Sequence, residues 1–353
     1  MQKKELSIAF FNKELPSQCW NGVSIQVHRL ANALVDRGHR VTCFSFSSAP
    51  REARYRVVSA PPRCSPGRVG GKFAPARWFA SIDASGFDIR HYHGDDYLCR
   101  GGAGRVRTFY GSALYEALHA RRTSRFLYQS LFYCFELVSC ARGGTLTAIS
   151  RSTQRVLPRP VEVIPCGVTA AFCPGGAKAP VPTIVFLGDL HSRKRGDRVL
   201  DAFARNVQPH LPAASLRMIT GKGPRLPGVV WTGPLSESEL IGELQRAWVY
   251  CSASSYEGFG VPLVEAMACG TAVVSVVNPG VREIAGTSGC AQLCHPRDLG
   301  RELLAVLGDH DLRRRLEAGG STVARRYGMD QIASRYESLF YCSRGARGAE
   351  KGR

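Results

Sequence analysis

Short apolar runs alternate along the chain with amphipathic stretches, in the rhythm of strand, helix, strand. "LSIAFF" reads as a buried strand, and "WNGVSIQVHRLANALVDRGHR" follows as a glycine turn and an amphipathic helix. "VTCFSFS" is the next strand. A Pro- and Arg-rich stretch, about Ala49 to Phe73, reads as a loop that interrupts the pattern. "FDIRHYHG" and "GRVRTFYG" are strand-like, a long helical region rich in Tyr, Phe and Leu follows, and "TLTAIS" and "VEVIPCGV" close this half. The Pro/Gly-rich segment Phe172 to Pro182 is a linker candidate. Beyond it the alternation restarts with "TIVFLGDL", "SLRMITGKG", "GVVWTGPL", "WVYCSAS" and "TAVVSVV". Such alternation on both sides of a linker predicts an α/β fold of two doubly wound parallel-sheet domains, about 1–175 and 176–330. A last helix near 330–345 is expected to pack back on the first domain. Ligands of such folds bind beyond the carboxyl ends of strands, here in a cleft that the two domains face.

Two stretches of the second half carry candidate chemistry. In "SSYEGFGVPLVEAMACGTAVV", Ser254 to Val274, the glycines Gly258 and Gly260 permit unusual dihedrals or close approach to a ligand. Pro262 suits a first helical turn, and Gly270 closes the helix. A helix N-terminus after a strand and a glycine turn attracts phosphate. Glu257 and Glu265 would repel a bare phosphate but suit a sugar with hydroxyls to hold; alternatively, one offsets the helix dipole and the other is a solvated loop acid. In "FLGDLHSRKRGDRVL", Arg193 and Lys194 follow a strand that ends at Gly188, where cations can neutralise a diphosphate without a metal.

Composition narrows the classes. The chain has 353 residues, enough for two cores, with 44% hydrophobic and 21% charged residues, as in a globular protein. It has no apolar run of about 20 residues and no secretory signal at its start, so a cytoplasmic location is expected. Thirteen scattered cysteines fit a reducing compartment, and "CAQLCH", Cys290 to His295, lacks the second ligand pair a structural zinc needs. The net charge of +19 favours an anionic partner or solubility. Basic residues gather in the first half, at Arg51, Arg54, Arg56, Arg63, Arg68, Lys72 and Arg77, then Arg100, Arg105 and Arg107, then Arg121, Arg122 and Arg125. No element for reading nucleic acid accompanies them. Beside the last cluster, "FLYQSLFYCF" reads first as a buried helix; the alternative is docking of its aromatic and basic residues on an anionic membrane surface.

The order of these motifs resembles the family-4 retaining glycosyltransferases of the GT-B fold. The resemblance runs from about Leu6 to Tyr341 and rests on the glycine turn after the first strand, "IPCGV", "GDLHSRK", "EGFGVPLVEAMACGTAVV" and "NPGVREI". It implies that Glu257 holds hydroxyls of the donor sugar near the reacting carbon, and that Glu265 grips the ribose of the nucleotide. Gly258, Phe259, Gly260 and Val261 would lie against the donor, with amides of the last three meeting its sugar and phosphates. Arg193 and Lys194, or Arg195 in place of the lysine, would hold the diphosphate, and the backbone at Gly22 would approach it. Asn21-Gly22 stands where the family shows a glycine pair, and Tyr110 stands where it commonly carries a histidine near the reaction centre. The implied co-substrate is a nucleotide-diphosphate sugar and the implied acceptor a hydroxyl, with no metal or other cofactor. A D-x-D triplet occurs at Asp309-His310-Asp311, where it reads as a helix cap. A nucleotide-sugar 2-epimerase of the same architecture, or a protein that binds donor without turnover, are the competing readings.

Overall fold

In a computed structural model, residues 4–17, 21–62, 71–120, 122–286 and 288–350 are described, without side chains for 345–350. Arg63, Arg68 and Arg121 lie outside the described residues. The strand β1 (Ser7–Phe11) is buried from its second residue on, so it needs apolar side chains on both faces rather than alternation. It joins β2 (Arg40–Ser45), β3 (Arg56–Ser59), β4 (Ile89–Tyr92), β5 (Arg105–Phe109), β6 (Thr145–Ala148) and β7 (Glu162–Val163) in a parallel sheet ordered β3-β2-β1-β4-β5-β6-β7. Among the described residues, α1 (Gly22–Asp36), α2 (Ala74–Ser81), α3 (Ala113–Leu118), α4 (Thr123–Ala141) and α5 (Arg151–Gln154) accompany it.

A second parallel sheet, ordered β10-β9-β8-β11-β12-β13, contains β8 (Thr183–Leu187), β9 (Ser215–Ile219), β10 (Val229–Trp231), β11 (Val249–Ser252), β12 (Ala272–Val276) and β13 (Gln292–Cys294). Its helices are α6 (Gly196–Ala202), α7 (Glu237–Arg246), α8 (Val261–Ala268), α9 (Pro279–Ala285), α10 (Leu299–Gly308) and α11 (His310–Ala324). The last helix, α12 (Met329–Glu350), returns to the first sheet. One unit therefore comprises Met1–Gly167 with Met329–Arg353, and the other Val168–Gly328.

In the first unit, Val27, Leu30 and Leu34 of α1 and Ile332, Tyr336 and Phe340 of α12 close over Ile8, Phe10 and Val106 of the sheet. Glu337 of α12 is buried, accepting from Arg37 at 2.7 Å and pairing with His39 at 3.2 Å. Because His39 Nδ1 accepts from the Leu6 N–H, its Nε2 carries the proton given to Glu337. In the second unit, Lys178 donates to the carbonyls of Ala247 and Gly270 where α7 and α8 end, fixing part of the Pro/Gly-rich segment.

Two expectations change, and one site of capping is as expected. The stretch from Ala49 to Phe73 holds the edge strand β3, and "CAQLCH" holds the edge strand β13. The Tyr- and Phe-rich helix is not core: in α4 only Ser139 and Cys140 are buried. The Asp309 side chain caps α11 by accepting from the Leu312 N–H at 2.8 Å.

Candidate active site

Both sheets reverse their strand order once, between β1 and β4 in the first and between β8 and β11 in the second. Such a reversal splays the loops at the carboxyl ends and leaves room for a ligand. In the second unit the loop after β8 carries Arg193 and Lys194, and the loop after β11 carries Glu257. The reversal thus brings Glu257 against Arg193 and Lys194, which lie 64 and 63 positions before it in sequence. Arg193 Nη1 donates to Glu257 Oε2 at 2.9 Å and Lys194 Nζ to Glu257 Oε1 at 2.7 Å. Burial is the strongest single influence on Glu257 and pushes its carboxyl up. Lys194, then Arg193, with hydrogen bonds from Lys194 and Ser254, outweigh it and hold the carboxyl at about 2.

Backbone bonds lock the two loops to each other. The Ser255 N–H donates to the Arg193 carbonyl at 2.9 Å, and Arg193 Nη1 also donates to the Tyr256 carbonyl at 2.8 Å. Gly188 has φ +142, and a Cβ there would lie 2.7 Å from Lys194 Cγ, so the lysine runs across the bare backbone of the glycine. Arg195 instead takes the left-handed conformation ahead of α6, and it is Lys194 whose Nζ meets Glu257.

Gly260, at φ +110, turns the chain into α8, and Pro262 stands at the helix start. Phe259 is buried edge-on against Tyr327, with ring centroids 5.2 Å apart, and this anchors the loop whose amides continue through Gly260 and Val261. Gly258 is half-buried between Glu257 and Phe259. Glu265 is buried in the second turn of α8.

Sequence reasoning named "NPGVREI" but gave its residues no work. Asn278 caps α9 by accepting from Val281 N–H and donates to the Ser254 carbonyl at 3.2 Å. A Cβ on Gly280 would meet the carbonyl oxygens of Phe259 at 2.5 Å and Glu257 at 2.7 Å. The start of α9 is thus the floor beneath the acidic loop. An N-cap residue followed closely by glycine was the available signal.

The remaining candidates, Gly22 and Tyr110, belong to the first unit. Gly22 is the exposed first residue of α1, and Asn21 forms a capping box with Ser24. Asn21, where the resemblance implies a glycine, caps the helix. Tyr110 Oη shares a 3.0 Å hydrogen bond with His93 Nδ1. Burial pushes the phenol well above its ordinary range; burial, with His91 and Arg107, holds the His93 imidazole well below its own. The pair is neutral at physiological pH.

Two parallel-sheet domains of this topology are the architecture of the GT-B glycosyltransferases. The family described as Glycosyltransferase Family 4 matches residues 20–172, and Glycosyl transferases group 1 matches residues 174–322. The chain belongs to the family-4 glycosyltransferases, retaining enzymes of the GT-B fold. The phosphatidyl-myo-inositol mannosyltransferase of Mycobacterium tuberculosis is 27% identical over 361 residues, covering 90% of this chain and 92% of that protein. The MMP alpha-(1->4)-mannosyltransferase of Mycolicibacterium hassiacum is 30% identical over 222 residues, 55% of this chain and 53% of that one, so the match spans about half of that relative. Sucrose-phosphate synthase from Thermosynechococcus elongatus has the same fold, with a TM-score of 0.77 at 18% identity over 95% of this chain and 98% of that one. These relatives support glycosyl transfer as the function.

Proposed function

We propose that the second unit binds a nucleotide-diphosphate sugar at the carboxyl ends of β8 and β11, and that transfer needs no metal. The observation that carries this is the placement of Arg193, Lys194 and Glu257 on the loops that follow the two strands flanking the switch point, ahead of α8. Arg193 and Lys194 hold the diphosphate, assisted by the amides of Phe259, Gly260 and Val261. Glu257 holds sugar hydroxyls and Glu265 the ribose. For Gly22, at the phosphates, and Tyr110, at the sugar, the roles rest on the family resemblance. The bond from the anomeric carbon to the diphosphate oxygen breaks while the acceptor hydroxyl bonds to that carbon on the same face. Its proton passes to the leaving phosphate oxygen, so positioning and positive potential are what the protein supplies.

A thermal-shift panel of nucleoside diphosphates tests the donor site. A ligand at 100 times its dissociation constant stabilises by about 2.7 kcal/mol. Glu265→Ala is expected to weaken the preferred nucleotide by roughly 1.5–3 kcal/mol through lost charge-assisted hydrogen bonds. No stabilisation by any nucleoside diphosphate overturns the assignment. Binding without turnover of labelled donor, over a mixed acceptor pool, identifies a donor-binding protein instead.

The acceptor side is read from α3 and α4. Leu118 (63% exposed), Phe126 (43%), Leu127 (62%) and Leu131 (47%) project apolar surface near the exposed cations Arg122 and Arg125. Arg125 also pairs with Glu116 at 3.0 Å. Apolar side chains framed by cations suit the face of an anionic bilayer. A lipid-linked or anionic hydroxyl acceptor follows, in keeping with the phosphatidyl-myo-inositol named for one relative. Among the described residues no helix is long and apolar enough to cross a membrane.

A further inference from the structure

The two cations assigned to the diphosphate are bound to an anion of the chain itself. Each oxygen of Glu257 takes one of them, at 2.9 Å from Arg193 and 2.7 Å from Lys194. The carboxylate is nearly inaccessible, with its side chain 6% exposed, whereas the Arg193 and Lys194 side chains are 31% and 20% exposed. Solvent therefore reaches the cations from one side and the carboxylate holds them from the other. The loops cannot drift apart to relieve this, because the Ser255 N–H donates to the Arg193 carbonyl and Lys194 is pressed against Gly188.

We propose that Glu257 is an internal stand-in for the donor's diphosphate, so that sugar recognition is coupled to phosphate binding. The inference rests on the donor-site reading above. One carboxylate against two cations leaves the cluster with a net charge of about +1, too little to neutralise a diphosphate. An arriving diphosphate competes for the guanidinium and the ammonium. As they turn toward it, the lone pairs of Glu257 are released to accept from sugar hydroxyls. A sugar without a diphosphate meets a nearly inaccessible carboxylate turned toward two cations. Glu257 thereby discriminates against free sugars while lowering the affinity for the bare diphosphate. A residue that served only to grip the sugar would have no effect on the latter.

The experiment is calorimetry with inorganic pyrophosphate on the wild type, Glu257→Gln and Glu257→Asp. Glu257→Gln is expected to bind pyrophosphate at least about tenfold more tightly, and its affinity to fall more steeply with salt, since the freed charges are partly exposed. Glu257→Asp, whose shorter arm spans the two cations less well, is expected to fall between them, and it serves as the readout if Glu257→Gln does not fold. Pyrophosphate binding in these variants that equals or is weaker than wild type overturns the coupling. If pyrophosphate, UDP and GDP all fail to bind the wild type and the variants alike, the donor-site reading fails instead. Arg193→Ala, expected to lose binding in either background, ties the signal to this cluster.

Discussion

Two glycines at helix starts, Gly22 and Gly280, show how much a single residue's surroundings decide. A Cβ on Gly22 meets no atom of the described residues within 4 Å, whereas on Gly280 it meets two backbone carbonyls closer than 3 Å. Gly280→Ala must therefore push up the loop that carries Glu257. A stability loss of about 1–3 kcal/mol is expected, with a loss of turnover, measured by denaturant titration and donor consumption. Gly22→Ala displaces nothing among the described residues and restricts the unfolded chain, so stability should hold or rise by about 0.4–1 kcal/mol. If the donor's phosphates approach this backbone, its kcat/KM nevertheless falls at least about tenfold. Unchanged activity would remove Gly22 from the site. Glu257, Arg193, Lys194 and Gly260 were legible in the sequence because a glycine turn, an acid and cations at strand ends limit what a local segment can do. Their mutual pairing was not legible, since it joins residues that only the strand order makes neighbours. The bond between Tyr110 and His93 was hidden for the same reason.

At the scale of elements, α3 is held by a carboxylate whose charge is a burden. Glu136, on α4, accepts from the Ala113 N–H at 3.2 Å where α3 begins. Burial raises its pKa to about 7, against the opposing effects of Arg107 and that backbone hydrogen bond. The folded protein therefore binds more protons than the unfolded chain between about pH 4.5 and 7, and stability from this group is lost as pH rises through that window. Glu136→Gln is expected to stabilise by about 2–3 kcal/mol at pH 8 and by little at pH 4.5. Equal shifts in melting temperature at both pH values would rule this out. Central strands were legible as elements, because burial on both faces makes them continuously apolar. The edge strands β3 and β13 were not. Val57 and Val58 of β3 are only half-buried and flanked by exposed residues, so "RVVS" reads as part of its loop. The exposure of α4 was missed because aromatic content is a signal of burial only where another element covers the helix.

For the whole molecule, 47 basic residues against 28 acidic ones make long-range attraction to anions the dominant field. If α3 and α4 seat on a bilayer, flotation with anionic vesicles is expected to carry the protein at low salt and release it as ionic strength rises. Each basic side chain near the surface contributes about 1 kcal/mol, so reversing Arg122 and Arg125 to glutamate should abolish flotation. Leu127→Ser with Leu131→Ser should weaken it at every salt concentration. No flotation with anionic vesicles at low salt favours an acceptor in solution. The parallel α/β architecture was legible from alternation alone, and the family from the order of its motifs. The surface that would meet a membrane depends on which helix faces stay uncovered, a property of packing rather than of pattern.

The return of α12 also sets an order of events on the ribosome. Residues Val168–Gly328 are contiguous and can close as soon as they emerge, whereas the sheet of β1 to β7 lacks part of its cover until Ile332, Tyr336 and Phe340 appear. At about 5–20 residues per second, the wait between Gly167 and Phe340 is roughly ten to thirty seconds. Throughout it, Ile8, Phe10 and Val106 lack those partners, so the half of the protein made first is the half finished last. Chaperone demand during synthesis should therefore track the N-terminal half, and a nascent chain cut short before α12 should present it as the aggregating species.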